Sequence, residues 1–346
     1  MGINNRKKKE VFGIMFCPHC KGDFVYERMN GLSSGILRCS CYEYPILDDV
    51  IFLIKREDIL HTVNLIKQGK IFDAWTLQVE VGFSYTHRII NRIKKYNWNF
   101  GSSLMMWLVI FLKRNRARKL RSLLPKGNLK NIFDFLSTKK WGSYVMKREK
   151  SASFIIGKTI LKENMPNITK NKTIAEKFIV FDHMSGPGIY AKYIQEEIPN
   201  ATVIAADQSF LNALLGKYFF SNKVVYVCFD ANDAIPIKNN MLDLFINSDG
   251  FHYLKNKKNQ EYCKNEIQRI MMSNSKIIFL HLHVKSGKNK GEGIARSKEE
   301  YKSLFNDFYP TIIDEQSEIN KKYKHIESEG CSLSLIGEKI GENFTS

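Results

Sequence analysis

The chain has 346 residues, of which 44% are hydrophobic, so it can bury one large core or two modest ones. Its longest apolar run, LMMWLVIFL, is too short to cross a bilayer as a helix, and no apolar segment of a secretion signal follows the basic start MGINNRKKKE. A cytoplasmic protein is therefore expected. The net charge of +18 is concentrated in residues 59–172, which hold 23 Lys and Arg against 5 Asp and Glu.

Four of the seven cysteines lie close together near the start of the chain. FCPHCKGDF contains a C-x-x-C pair and LRCSCYEYPI a C-x-C pair, so a short hairpin between them can bring four thiolates to one tetrahedral ion. Zinc suits four thiolates, and a reducing cytoplasm disfavours disulfides. A ribbon this small would draw folding free energy from the metal. The predicted zinc ligands are Cys17, Cys20, Cys39 and Cys41.

The same stretch resembles the small zinc ribbon of the tRNA-methyltransferase activator type, which carries C-P-x-C-K-G, a second cysteine pair and Y-P-I-x-D-G-I-P. Tyr44, Pro45, Ile46 and Asp48 match this pattern, whereas Asp49 stands where the family has Gly. The resemblance implies a ribbon over residues 1–58, of a kind that precedes or binds a methyltransferase domain.

A basic, mostly helical insert is expected over residues 59–150. ILHTVNLIKQ and RIINRIKKY have apolar residues at three- and four-residue steps, and Asn128 is expected to start a further element. Gly101-Ser-Ser is expected to precede a helix that contains the apolar run and then the basic KRNRARKLR. This charge would suit RNA, or an anionic membrane surface contacted through residues 104–121; the alternative is a solvated lysine-rich face.

Residues 151–346 alternate between strand and helix patterns. Strands are predicted at KFIVFD, ATVIAAD, VVYVCFD, MLDLFINSD and SKIIFLHLHV, helices at IYAKYIQEEI, SFLNALLGKYF, NEIQRIMM and KEEYKSLFNDFY, and a last strand at CSLSLIGEKI. The alternation predicts an α/β, doubly wound, Rossmann-like domain whose ligands bind at the carboxyl ends of the strands. A phosphate-binding P-loop is excluded because the complete motif G-x-x-x-x-G-K-[ST] is absent: Gly157-Lys158-Thr159 has Ala152 where the first glycine is required.

The loop HMSGPG and the run DANDAIPIKNNMLDLFINSDGFHYL resemble class I S-adenosylmethionine-dependent methyltransferases of the type 11-like group, over residues 178–284. The resemblance implies S-adenosyl-L-methionine as cofactor, with its methionine moiety held by the glycine loop. Met184 stands where a first glycine is often found. Asp207 can bind the ribose hydroxyls, and Asp230 lies where adenine is recognised. The predicted cofactor-binding residues are Asp182, Ser185, Gly186, Gly188, Asp207, Asp230, Ala231 and Ser248.

Three histidines are candidates for catalysis because a general base helps methyl transfer to a hydroxyl or amide. His252 lies in the stretch SDGFHYL, and His281 and His283 are expected to share one face of the fifth strand at period two. A metal site formed by His281 and His283 alone is not expected, because no carboxylate is close to them in sequence.

The sequence predicts S-adenosylmethionine-dependent methyl transfer to a small-molecule or biosynthetic acceptor. RNA is the alternative acceptor, because the order of ribbon and methyltransferase resembles the large-subunit rRNA guanine methyltransferases. Those enzymes lack the long insert, and no arginine–aromatic interleaving of the kind that stacks on bases is present. A non-catalytic scaffold or partner protein is the second alternative.

Overall fold

The computed structural model describes residues 5–29, 33–81, 102–136, 145–169, 177–285, 293–322 and 332–339. The predicted helix RIINRIKKY lies outside these residues. The strands within the described residues are β1 (Val25–Arg28), β2 (Gly35–Arg38), β3 (Glu43–Leu47), β4 (Val50–Phe52), β5 (Ile179–His183), β6 (Thr202–Asp207), β7 (Val225–Cys228), β8 (Leu242–Ser248), β9 (Met271–His283), β10 (Thr311–Asp314) and β11 (Ser332–Lys339).

The helices that the same residues form are α1 (Asn5–Ile14), α2 (Glu57–Lys67), α3 (Ile71–Val81), α4 (Ser102–Leu123), α5 (Leu129–Leu136), α6 (Ala152–Thr169), α7 (Ile189–Glu197), α8 (Phe210–Leu215), α9 (Lys257–Ile270), α10 (Lys298–Leu304) and α11 (Glu315–Lys322). A π-helical turn, Gly216–Phe220, extends α8, and short 3₁₀ turns include Phe251–Tyr253.

All eleven strands belong to one sheet, in the order β1-β2-β3-β4-β7-β6-β5-β8-β9-β11-β10. The strands β4, β7, β6, β5, β8 and β9 are paired in parallel, and antiparallel pairs extend the sheet at both edges. Chain order reverses between β5 and β8, since β6 and β7 lie on one side of β5 while β8 and β9 lie on the other. This is the topological switch point, where doubly wound sheets bind their ligands.

The cysteine-bearing hairpins continue the central sheet. Strand β4 pairs in parallel with β7, with Ile51 opposite Val227 and Phe52 opposite Cys228. A separate bridge joins Met15 to Ile237. The N-terminal strands therefore cover an edge of the parallel sheet that would otherwise expose unpaired backbone groups.

Helices cover both faces of the sheet, which is the layer arrangement that a mostly parallel sheet requires. One buried apolar cluster contains side chains from α2 to α8, and the other contains side chains from α1, α9 and α10. The insert packs as part of the first layer: Phe210 of α8 lies 6.2 Å from Trp75 of α3 and 5.0 Å from Phe52 of β4, measured between ring centroids.

The five predicted strands of the doubly wound unit are confirmed as β5 to β9, and the predicted last strand as β11. The helix after Gly101-Ser-Ser begins at Ser102, and Asn128 Oδ1 accepts from the amide of Asn131 at the start of α5. The α/β, doubly wound, Rossmann-like class is confirmed. Among the described residues, no helix is long and apolar enough to cross a membrane. The division at residues 58 and 150 stays a prediction.

Candidate functional site

A tight loop connects β5 to α7. Gly186 and Gly188 have φ values of 55° and 76°, in the left-handed region that glycine adopts without strain. The amide of Ser185 donates to Ala206 O, and that of Gly188 donates to Ser185 O, each at 3.0 Å. These bonds fold the loop against the end of β6, and Gly188 is the residue before the first turn of α7. The loop therefore exposes backbone at the switch point.

Met184 occupies a backbone position that normally favours glycine. Its φ of 56° is left-handed, a conformation that costs a residue with a Cβ about 1–2 kcal/mol. Gly250 faces it across the loop, and a Cβ on Gly250 would lie 2.7 Å from the Met184 Cβ. Met184 also packs against the apolar cluster beneath the loop. The methionine keeps the backbone shape of a glycine loop and adds an apolar contact to the turn after β8.

Asp182, the fourth residue of β5, has 1% of its surface exposed, and neither carboxylate oxygen has a hydrogen-bond partner among the described residues. Burial raises the pKa of Asp182 to about 8; the amide of Ala191 lowers it in part, and the nearby Asp207 raises it further. The Ala191 amide offsets only part of the cost of burying this carboxylate, so Asp182 is a strong candidate for binding a cationic ligand group.

Asp207 ends β6 and organises the loop. Its Oδ2 accepts from the amide of Gly186 at 3.1 Å, and its Oδ1 accepts from the amide of Ser209 and from Asn212 Nδ2. A carboxylate has about four lone-pair sites, so one site on Oδ2 is left for a further donor such as a ribose hydroxyl. Burial raises the pKa of Asp207, and its hydrogen bonds oppose this shift.

Two further predicted groups follow the neighbouring strands. Asp230 lies two residues beyond β7, and its Oδ1 accepts from the amide and the Nδ2 of Asn232, both at 2.9 Å. Ala231 follows Asp230, and Ser248 is the last residue of β8. Since β7, β6, β5 and β8 are adjacent and parallel, all eight predicted cofactor-binding residues lie at or beside the carboxyl ends of these strands.

The three candidate histidines have different surroundings. His281 is buried, with its Nδ1 2.7 Å from Glu315 Oε2 and its Nε2 3.1 Å from the Tyr190 hydroxyl. Its φ of 59° lies within β9, beside a register shift in the pairing with β11, and His281 and His283 have different partners. Burial alone would raise the pKa of Glu315. The charge and hydrogen bond of His281 outweigh this effect and lower the pKa to about 2. His281 therefore connects α11 to α7.

His252 and His283 stack against each other at the ends of β8 and β9. Their ring centroids are 3.5 Å apart, and the planes differ by 14°. Both rings face Asp249, whose Oδ1 lies 3.7 Å from His252 Nε2 and 3.4 Å from His283 Nε2. Burial, together with the charge of His283, lowers the pKa of His252 to about 4. A carboxylate that is distant from His283 in sequence thus lies beside it in space.

Sequence reasoning did not select Asp249 or Arg148 as site residues. Asp249 precedes Gly250 in NSDGFHYL, and this Asp-Gly pair after a strand is a typical turn signal that could have pointed to it. Arg148 Nη2 lies 3.5 Å from Asp249 Oδ2. Arg148 is separated from Asp249 by a hundred residues of chain, so no local pattern could have paired them.

The four predicted zinc ligands converge in the N-terminal hairpins. The Sγ atoms of Cys17 and Cys39 each lie 3.6 Å from Cys41 Sγ, and all four sulfurs lie within 4.8 Å of one another. A tetrahedron with zinc–sulfur bonds of about 2.3 Å has sulfur–sulfur edges of about 3.8 Å, so this donor set fits zinc. The Tyr44 hydroxyl lies 3.2 Å from Cys17 Sγ, and Ser40 Oγ donates to Cys20 Sγ.

Several basic side chains of α4 contact other parts of the insert. Arg114 Nε donates to Asp73 Oδ1 at 2.9 Å. The guanidinium of Arg121 lies 5.8 Å from the centroids of both Phe72 and Trp75. Similar contacts place Arg118 over Phe72, and Arg116 and Lys119 over Phe135. Part of the positive charge therefore holds α4 against α3 and α5.

The family model described as "Methyltransferase domain" matches residues 182–279, from Asp182 in β5 to the middle of β9. No curated protein matches the sequence. The matched segment contains the glycine loop and the acidic residues that follow β6 and β7.

Solved structures with a similar fold include a Streptomyces coelicolor geranyl diphosphate C-methyltransferase, at 12% identity and a TM-score of 0.40, over 53% of this chain and 77% of that chain. A Haemonchus contortus phosphoethanolamine N-methyltransferase 2 is 12% identical, with a TM-score of 0.38, over 57% and 60% of the two chains. A complex of the Haloferax volcanii Trm112 methyltransferase activator with a candidate methyltransferase gives 12% identity and a TM-score of 0.37, over 53% and 94%.

These structural similarities are too low to indicate a substrate or a partner. The family match and the strand order agree on the doubly wound unit and on its switch point. The chain therefore contains a segment that matches a methyltransferase domain and that is built on a Rossmann-like sheet.

Proposed function

We propose that the switch point holds S-adenosyl-L-methionine through the residues predicted from the sequence. The observation that carries this proposal is the buried carboxylate of Asp182, which lacks a hydrogen-bond donor among the described residues and would face the ammonium of the methionine moiety. The open backbone at Gly186 would admit that moiety, since, apart from its chain neighbours, no atom of the described residues lies within 4 Å of a Cβ placed on Gly186. Asp207 would accept from a ribose hydroxyl, and Asp230 and Ala231 would border the adenine.

The acceptor that we propose is a small molecule or biosynthetic intermediate. The engagement of α4 arginines with Asp73, Phe72 and Phe135 supports this choice over RNA, because side chains that pack inside the insert are less free to contact phosphates. RNA is the competing acceptor.

Zinc is proposed as a structural ion, bound by the four thiolates of the N-terminal hairpins. The closed set of four sulfurs leaves no open position for a substrate, which is typical of structural rather than catalytic zinc. The ion would fix the hairpins from which β3 and β4 reach the edge of the central sheet.

Calorimetry with S-adenosylhomocysteine tests the cofactor site. Wild type should bind in the micromolar range, and Asp207→Ala should weaken binding by about 1–3 kcal/mol, because ribose hydroxyls would lose an acceptor in a closed site. Asp134→Ala is the matched control, since Asp134 is exposed on α5. Equal affinity of wild type and the Asp207 variant would place the ribose elsewhere, and a folded wild type that binds nothing would favour the scaffold alternative.

Elemental analysis of protein purified without added metal tests the zinc proposal. We expect about one zinc per chain in the thiolate site, lost in the double variant Cys39→Ser/Cys41→Ser. Four freely titratable thiols in folded, zinc-free protein would contradict the proposal. Zinc that persists in the double variant would belong to another site.

A further inference from the structure

A second group of potential metal ligands lies at the carboxyl ends of β8 and β9, outside the predicted cofactor-binding set. Asp249 follows the last residue of β8, His252 lies on the 3₁₀ turn Phe251–Tyr253, and His283 ends β9. One ligand atom from each of the three residues lies within 4.8 Å of the other two. Two backbone segments, the turn after β8 and the end of β9, therefore converge on one small volume.

The backbone holds Asp249 in a defined position. Its φ is 57°, and its amide donates to Leu280 O at 2.9 Å, which ties the turn to β9. Arg148 approaches Oδ2, while Oδ1 is the atom nearest to both imidazoles. Asn247 Oδ1 accepts from the amide of Phe251 and so fixes the turn that carries His252.

His252 supplies the independent observation that points to a ligand. Its side chain is 0% exposed, and neither ring nitrogen has a hydrogen-bond partner within the part of the chain that the structure describes. Buried polar atoms in folded proteins nearly always have a partner, so an imidazole with two unsatisfied nitrogens requires an explanation. An ion bound between His252, His283 and Asp249 would satisfy one nitrogen directly.

We propose that Asp249, His252 and His283 bind one divalent first-row transition metal ion. Two imidazoles and one carboxylate are a common ligand set for zinc, iron and related ions, and three protein ligands leave coordination positions open. The two rings are nearly parallel, so they must splay apart for their lone pairs to converge on the ion.

The position of this site also suggests its role, and this step rests on the proposed cofactor site. Gly250, between Asp249 and the histidine turn, packs directly against Met184 of the cofactor loop. An ion here would border the place where the methyl group is presented. Its open positions would bind an acceptor that offers oxygen donors, such as a hydroxyl compound.

Cobalt titration of the full-length, zinc-loaded protein tests the metal site, with visible absorption as the readout. We expect one equivalent of Co²⁺ to bind with the d–d bands of a nitrogen and oxygen site and without thiolate charge transfer, because the four cysteines retain zinc. Asp249→Asn should weaken Co²⁺ binding by 10-fold or more, and His252→Ala and His283→Ala should reduce it further. His61→Ala is the control, since His61 is exposed on α2.

Circular dichroism and S-adenosylhomocysteine calorimetry on the same variants separate loss of a ligand from loss of the fold. Wild-type protein that binds S-adenosylhomocysteine but no Co²⁺ overturns the metal site and leaves the proposed function intact. Co²⁺ binding without S-adenosylhomocysteine binding overturns the proposed cofactor site alone. Co²⁺ affinity that is equal in wild type and all three ligand variants also overturns the assignment.

Acetohydroxamate, a chelator with two oxygen donors, tests the open positions on the bound cobalt. Saturating acetohydroxamate should shift the cobalt bands in wild type. The His61→Ala control should show the same shift. An unchanged spectrum would mean that the ion has no exchangeable positions, and this would overturn the acceptor role.

Discussion

Asp182 shows how a single buried carboxylate connects the fold to the proposed cofactor. Burial raises its pKa to about 8, whereas the ordinary value is 3.8. The folded protein therefore binds more protons than the unfolded chain between about pH 4 and pH 8. Because stability falls wherever the native state binds more protons, this group makes the free energy of unfolding decrease as pH rises through that range.

The variant Asp182→Asn should remove this pH dependence. Between pH 5 and pH 7.5, the free energy of unfolding of wild type should fall relative to that of the variant, at no more than about 1.4 kcal/mol per pH unit. Urea unfolding at several pH values measures the difference. Other titrating groups are common to both proteins and cancel. Parallel pH profiles would show that Asp182 titrates near its ordinary pKa.

The same variant separates a structural effect from a binding effect. If the ionised carboxylate faces the ammonium of the cofactor, S-adenosylhomocysteine affinity of wild type should rise with pH towards 8, and the variant should bind weakly with a flatter profile. An Asn variant with wild-type affinity at pH 7.5 would leave the stability argument in place and remove Asp182 from the binding site.

At the residue scale, the site residues that could be predicted from the sequence are those that follow a recognisable strand pattern. Asp207 and Asp230 were identifiable because each follows an apolar run that forms a parallel strand, and such strands end at one edge. The left-handed backbone of Met184 was not predicted, since its contact with Gly250 depends on packing between distant segments. The approach of Asp249 to His283 depends likewise on the pairing of β8 with β9.

At the element scale, a two-residue turn joins β3 to β4 and is held by the methyltransferase unit. Asp48 and Asp49 have φ values of 53° and 62°, as in a type I′ hairpin turn, and Asp49 adopts there the conformation for which the ribbon family has glycine. Lys217 Nζ donates to Asp48 O and to Asp49 Oδ2, the latter at 3.0 Å, and the Tyr218 hydroxyl donates to Asp48 Oδ2. Both donors come from the π-helical turn after α8.

Lys217→Ala should destabilise the junction between the ribbon and the central sheet. The Lys217 and Asp49 side chains are 11% and 2% exposed, so removal of the lysine breaks an ion pair that is largely shielded from water. The expected loss is about 3 kcal/mol in the free energy of unfolding. Chemical denaturation measures it, with Lys255→Ala as a control at an exposed lysine.

Lys217→Met distinguishes loss of charge from loss of packing, because it keeps most of the apolar stem. It should be about as destabilising as Lys217→Ala if loss of the Lys217–Asp49 ion pair is the cause. Wild-type stability in both variants would mean that the turn does not depend on the lysine. Thiol reactivity of the cysteines should also increase in the variants if the turn anchors the hairpins.

The elements that the sequence predicted are those with strong periodicity and clear punctuation. Strands β5 to β9 are buried apolar runs, each bounded by turn residues. Helix α1 was missed because its first half, NRKKKE, is charged and gives no apolar stripe. Strand β10 was missed because its four residues, TIID, are too few to show an alternating pattern, and its pairing with β11 is what defines it.

At the scale of the whole molecule, the predicted ribbon and the methyltransferase unit share one sheet. The parallel pairing of β4 with β7 could not be predicted, because the two strands are separated by more than 170 residues and edge pairing leaves no local signal. The helices of the insert pack in the same buried apolar cluster as α7 and α8 of the methyltransferase unit. A change in the insert can therefore affect the stability of the whole chain while the predicted cofactor-binding residues keep their positions.

The charge of the insert distinguishes the proposed acceptor from RNA. Replacement of Arg114, Arg116, Arg118, Lys119 and Arg121 by Gln should leave S-adenosylhomocysteine affinity unchanged, because the cofactor residues lie at the strand ends. It should lower the free energy of unfolding by about 0.5–1 kcal/mol for each exposed cation–aromatic contact that is lost. Denaturation and calorimetry on the same preparation measure both effects.

RNA binding by wild type and by the five-site Gln variant decides between the two acceptor classes. A small-acceptor enzyme should bind single-stranded RNA weakly at low salt, with little difference between wild type and the variant. If α4 contacts RNA, wild-type affinity must instead fall steeply with salt, at a log–log slope of about −0.7 for each phosphate contact, and the variant must lose several contacts together. That result would make RNA the acceptor.

Sedimentation of wild type with anionic vesicles, abolished in the variant, would assign the charge to a membrane surface. Without either response, the basic side chains act mainly where their aromatic and acidic partners lie, within the helical layer of the insert.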